Sequence, residues 1–171
     1  MPFAMRTLDE PNHPEGARVN PKRQVPVLVD GDLEIFDSTR IFEYLEDLEP
    51  EPPIWPADPK ARARARLLEH TSDEVFFPHV VRLMDLQGDL AGAAAAAARD
   101  AAVAYDRYIE ASLAGRDFLA GAYSYADIAF HMAQVFADRL GAQRPPDVPR
   151  LLAWRERMTA RPAVRKVASA M

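Results

Sequence analysis

Two short stretches hold the side chains best placed for chemistry. In "FDSTRIFEYL" a helical stripe begins directly after Asp37 and Ser38. Ser38 reads as the N-cap, and its hydroxyl joins the free N–H groups of a first helical turn in an anion site. Asp37 beside it suits a ligand ammonium. Together they fit the amino-acid end of a ligand, with the carboxylate on the helix terminus and the amine on Asp37. A plain N-cap explains the same residues without a ligand. The second stretch, "NPKRQVPVL", puts Pro26 inside a β-branched strand pattern, where a ladder N–H belongs. A cis Val25–Pro26 bond would turn the Val25 backbone toward an extended ligand. A proline on an ordinary edge strand is the alternative.

The other candidates carry less. With no cysteine in the chain, disulfides, thiolate metal sites and a cysteine nucleophile are excluded. His70 and His79 lie nine apart, which is not a metal spacing on a helix, and His13 and His131 are isolated; no metal site is expected. Arg62, Arg64 and Arg66 form a basic run that reads as a solvated face or a subunit contact. Phe76, Phe77, Met84, Tyr105, Tyr108 and Phe130 read as core more readily than as the lining of a small-molecule pocket, which some of them would also suit. In "GAYSYADIAF", Ser124 and Asp127 have the spacing of a capping box in its Asp variant, with Tyr123 and Ile128 placed for the hydrophobic staple. That motif is structural.

The elements that must position these residues fall in two parts. "EPEPPIWPADP", Glu49 to Pro59, holds five prolines and cannot continue a helix or central strand. It divides the chain into residues 1–50, a linker at 51–58 and residues 59–171. The first part is mixed α/β. Phe3–Leu8 is a strand candidate, "VPVLV" and "LEIF" flank "DGD" as a hairpin, and Ile41, Phe42, Leu45 and Leu48 share a helical stripe. The second part reads as helix throughout. One helix runs from about Pro59 to Leu86, bent near Pro78. An alanine-rich helix ends at Gly115, a third is closed by Gly141, and two short ones complete the chain. The class is α+β.

Composition narrows the function. The 171 residues carry a net charge of −5, which argues against general nucleic-acid binding. Residues 1–50 hold 5 basic against 11 acidic side chains, and so the whole acidic excess. No apolar run approaches the roughly 20 residues that span a bilayer. The N-terminus lacks the features of a signal peptide. A cytoplasmic protein with no membrane association is expected.

"NPKRQVPVLVDGDLEIFDSTRIFEYLED", a proline-rich linker, and then helices containing "GAYSYADIAF" resemble the glutathione S-transferase family from about Phe3 to the end. The resemblance implies a thioredoxin-like N-terminal domain and an all-helical C-terminal domain. It puts the residue that pairs its backbone with the cysteinyl part of glutathione at Val25, before the cis-proline Pro26. It puts the acidic–Ser pair that holds the γ-glutamyl end at Asp37 and Ser38. Gln24 falls in the same loop, and Lys22 within reach of the glycyl carboxylate. Arg23 stands where the family often has glycine. A homodimer pairing the first domain of one subunit with the second of the other is also implied, and the charge split suits it.

The resemblance also implies a departure. In the family a strand and helix precede "MPFAMRTL", and the loop between them carries the Tyr, Ser or Cys that stabilises the glutathione thiolate. The expectation is a truncated thioredoxin-like domain lacking that element, with no catalytic residue assigned. Tyr44 and Ser38 sit on the wrong element for the role. Two readings follow: a transferase that conjugates or reduces small electrophiles with glutathione, poorly active as written, or a non-catalytic glutathione-binding or dimeric interaction module. A chain that is part of a longer protein fits either.

Overall fold

The computed structural model describes Ala4 and residues 18–168. The strand expected over Phe3–Leu8 lies outside the described residues, Ala4 apart, as does His13. The chain divides into two compact units after Ile54.

The first unit is a hairpin and a helix. β1 (Val27–Asp30) and β2 (Leu33–Phe36) are antiparallel, with Val27 opposite Phe36 and Asp30 opposite Leu33. The ladder therefore closes over two residues, Gly31 and Asp32. Gly31 leads the turn at φ 63°, a value that costs glycine nothing. α1 (Ser38–Leu48) follows with only one residue, Asp37, between it and β2. Ile41, Phe42 and Leu45 on its apolar stripe are half-buried. Asn20 and Thr39 are the fully buried residues among those described in this unit.

The second unit is helical. α2 (Pro59–Thr71) starts at Asp58, whose side chain accepts from the Ala61 N–H at 2.8 Å. The single helix expected as far as Leu86 is interrupted. A π-helical turn spans Ser72–Phe76, and α3 (Phe77–Asp85) follows. Pro78 supplies the reason. It has no N–H for the carbonyl one turn back, so the chain widens before it and Phe77 donates to Ser72, five residues away. α4 (Ala93–Ser112) buries Ala95, Ala98 and Ala102 along one face. α5 (Tyr125–Arg139), α6 (Pro149–Ala160) and α7 (Pro162–Ala168) complete it. The core is aromatic: the Phe130 ring of α5 lies 5.3 Å from Phe76, 5.6 Å from Tyr105 and 5.4 Å from Trp154. None of the described helices is long and apolar enough to cross a membrane.

Candidate functional site

The β1–β2 register decides which residues of the first unit meet. Val27 opposite Phe36 is the last ladder pair at the open end of the hairpin. The chain beyond it, Val25 and Pro26 on one side and Asp37 and Ser38 on the other, leaves the ladder at that same end. The Val25–Pro26 peptide is cis, and Val25 is 76% exposed although apolar.

The approach to Val25 is held by Asn20. Its Nδ2 donates to the Gln24 carbonyl at 2.8 Å, and its Oδ1 accepts from the Lys22 N–H at 2.9 Å. The Arg23 N–H donates to the Asn20 carbonyl at 2.8 Å. This closed loop directs the Lys22 and Gln24 side chains outward, and both residues are exposed. Arg23 sits in it at φ 54°, the left-handed region that glycine favours. Asn20 is not among the residues whose type points to chemistry. Its signal was an asparagine two residues ahead of an exposed lysine in a proline-flanked turn, a position where Asx side chains close the backbone on themselves.

The start of α1 corrects one expectation. The N-cap is Asp37, not Ser38. Asp37 Oδ1 accepts from the Thr39 N–H at 3.1 Å and the Arg40 N–H at 3.2 Å. The reason is conformational: Asp37 takes φ 77°, outside the helix, while Ser38 is already its first residue. The free N–H groups of the first turn are thus partly filled by the protein's own carboxylate. No hydrogen bond to another described side chain engages the Ser38 hydroxyl. Asp37 keeps its second oxygen off the cap, and Arg40 Nε stands 4.0 Å from the first.

Tyr44 lies elsewhere. Its hydroxyl donates to Asp30 Oδ2 at 2.6 Å, at the turn end of the hairpin. That hydrogen bond to a carboxylate raises the phenol's pKa, so its proton is held at the opposite end of the ladder from Val25. Arg18 pairs with Glu34 on β2, and this hydrogen bond lowers the Glu34 pKa.

In the second unit, Ser124 and Asp127 form the capping arrangement of α5. Asp127 Oδ2 accepts from the Ser124 N–H at 2.9 Å and the Ser124 hydroxyl at 3.1 Å, while Oδ1 accepts from the Leu119 N–H at 2.9 Å. Tyr123 packs its ring on Phe118 at 5.6 Å, and the Arg161 guanidinium covers it at 3.4 Å. Of the basic run, Arg62 donates to the Pro56 carbonyl at 2.8 Å, Arg66 lies 5.6 Å over the Trp55 ring, and Arg64 is exposed. Among the described residues no group of histidine, aspartate and glutamate could hold a metal ion. A buried polar chain that sequence reasoning missed links α4, α5 and α6. Gln134 Nε2 donates to Asp106 at 2.9 Å, and Arg155 donates to Gln134 Oε1 at 3.3 Å. Burial pushes Asp106 up to about 6 and His131 down to about 4.

Comparison with known proteins bears on the whole chain. Residues 1–53 match the family model for the glutathione S-transferase N-terminal domain, and residues 87–162 that for the C-terminal domain. FtsZ-localized protein A of Caulobacter vibrioides is 32% identical over 170 residues, covering 90% of this chain and 74% of that protein. A stringent starvation protein A homolog of Coxiella burnetii is 40% identical over 76 residues, 43% of this chain, and the match spans 36% of that relative's length. A solved glutathione S-transferase from Rhodospirillum rubrum F11 has 30% identity and a TM-score of 0.76, covering 91% of this chain and 75% of that one. The chain belongs to the glutathione S-transferase family, with the thioredoxin-like N-terminal part followed by a helical C-terminal domain.

Proposed function

We propose that the chain binds glutathione at the open end of the hairpin. The Val25 backbone, before Pro26, pairs with the cysteinyl part. The γ-glutamyl end is divided between two side chains: its amine goes to the Asp37 oxygen left off the cap, and its carboxylate to the Ser38 hydroxyl and the first turn of α1. Gln24 and Lys22 flank the glycyl end, Lys22 facing its carboxylate. The observation that supports this best is the register, since Val27 opposite Phe36 brings both pairs out of the ladder together. In the transferase reading the second substrate is a small electrophile, turned over poorly by the chain as written, and the working form is a cytoplasmic homodimer.

A second reading is favoured by the similarity to FtsZ-localized protein A over 90% of the chain: a non-catalytic module that works by docking on a partner. The two readings separate in one series of measurements. Calorimetric titration with glutathione should give saturable binding, weakened roughly tenfold in Ser38→Ala, since a hydrogen bond to a charged group is lost. Unchanged affinity in that variant would remove the site as assigned. A conjugation assay with an aryl halide then divides enzyme from module: binding with turnover supports the first, and binding without it the second. Light scattering reads the dimer directly, and a monomer at working concentration would refute that part.

A further inference from the structure

We propose that the helical unit carries an oxyanion site of its own, in the groove between the α5–α6 connection and the α6–α7 pair, independent of the glutathione reading. The groove is largely open to solvent, has a volume of about 630 Å³ and is lined by Arg144, Leu152, Arg155, Glu156, Thr159, Ala160 and Arg165.

Its charges do not balance. Arg144 donates to Asp138 through two nitrogens, at 2.6 and 3.2 Å, and Arg155 pairs with the same carboxylate. Two guanidiniums, each about one-fifth exposed, therefore share one negative charge. Arg165 of α7 brings a third positive charge to the wall, and Glu156 is the second negative one. Among these five groups one positive charge is left over; Asp106, behind Gln134, also acts on Arg155 but lines no part of the groove, where an opposite charge is worth more than in water. Donors are also in excess. Gln134 gives Arg155 its other acceptor, but the buried Nε of Arg144 has no hydrogen-bond partner among the described residues. Burial, followed by the charge of Arg144, pulls the Arg155 pKa below its ordinary value, against the opposing effect of Asp138 and Asp106.

Clustered guanidiniums match the oxygens of phosphate and carboxylate in paired hydrogen bonds. Leu152, Thr159 and Ala160 add methyl surface beside them, so the ligand best fitted has an oxyanion head and a small apolar body. Phosphate monoesters and carboxylates share that chemistry. The groove uses no residue of the hairpin.

The experiment is calorimetric titration of the full chain with phenyl phosphate, benzoate and inorganic phosphate at fixed ionic strength. Wild type is compared with Arg165→Ala, Arg165→Glu and, as a control on another exposed arginine, Arg139→Ala. Among the described residues the Arg165 side chain makes no hydrogen bond, and its backbone N–H bond to the Arg161 carbonyl survives substitution. The expected result is binding of at least one phenyl compound more tightly than inorganic phosphate. Arg165→Ala should weaken it by roughly fivefold, as for an exposed charge pair, Arg165→Glu should weaken it further, and Arg139→Ala should leave it unchanged. Phenyl phosphate or benzoate as the tighter ligand identifies the head group. No binding by wild type, or equal binding by wild type and Arg165→Glu, overturns the proposal.

Discussion

Trp154 of α6 donates its indole N–H to Asp127 Oδ1 of α5 at 2.8 Å, across 27 positions of sequence. The carboxylate that starts α5 is thereby also the anchor of α6. Asp127 accepts four hydrogen bonds, from the Leu119 N–H, the Ser124 N–H and hydroxyl, and the Trp154 indole. Burial nevertheless raises its pKa, outweighing those donors. Asp127→Ala orphans four donors in a dry site and should cost about 3 kcal/mol or more. Asp127→Asn keeps one acceptor oxygen but turns an amide on the Ser124 N–H, so its loss falls between. Trp154→Phe removes one donor and keeps a ring beside Phe130, for about 1 kcal/mol. Urea midpoints should follow that order. A Trp154→Phe loss as large as that of Asp127→Ala would show that the ring, not the bond, joins the helices.

The buried polar chain predicts two opposed pH effects. Asp106, raised to about 6 by burial, binds its proton more tightly folded than unfolded. Its contribution is fully present below the usual carboxylate range and is lost as pH rises through about 6. His131, lowered to about 4 by burial and then by Arg155 and Arg144, behaves oppositely. Its contribution is present above the usual imidazole value and is lost as pH falls through about 4. Between those limits the two slopes largely cancel. Asp106→Asn should therefore expose the histidine, with stability falling by about 2 kcal/mol relative to wild type on acidification from pH 7 to 4. His131→Leu should do the reverse. Its Nδ1 has no partner to lose among the described residues. Denaturant midpoints across that range check both, and parallel curves for the two variants would refute the assignment.

Arg23 offers a stabilising change. At φ 54° its β-carbon opposes the backbone, a cost of roughly 1–2 kcal/mol, while glycine in the unfolded chain costs about 0.5–1 kcal/mol in entropy. Arg23→Gly should therefore raise stability by up to about 1 kcal/mol and leave the Asn20 hydrogen bonds in place. A lower denaturation midpoint would mean that the arginine side chain contributes something beyond its backbone.

Asn20→Ala should do the opposite to the same loop. It deprives the Lys22 N–H and the Gln24 carbonyl of their partners at once, for about 1–3 kcal/mol. If the hairpin end binds glutathione as proposed, affinity should fall with it. The check is calorimetry on the variant at a temperature where circular dichroism shows it folded.

What could be read from the sequence follows the range of the interactions. Asp-Gly-Asp between two β-branched runs specifies the hairpin because a turn is decided within four residues. The start of α5 is legible for the same reason, since Ser124 and Asp127 are three apart. The start of α1 shows the limit of such reading. Asp37 and Ser38 are both good caps, and the choice fell to a backbone dihedral that no side-chain type announces. Pro78 announced a disturbance, but a widened turn on its N-terminal side and a bend look alike in sequence. Asp106, Gln134 and Arg155 were illegible, because each is an ordinary surface residue until three helices are brought together.

The alanine face of α4 has a consequence for how the helical unit tolerates change. Ala95, Ala98 and Ala102 are buried there, and alanine has no rotamers to freeze on folding. It has none to offer afterwards either. A larger residue placed at one of these three positions gains no room from rotation of the other two, because each is a methyl group fixed to the backbone. The helix itself would have to move. The three buried methyls therefore set how near α4 lies to what packs on that face, and added bulk there should widen the spacing.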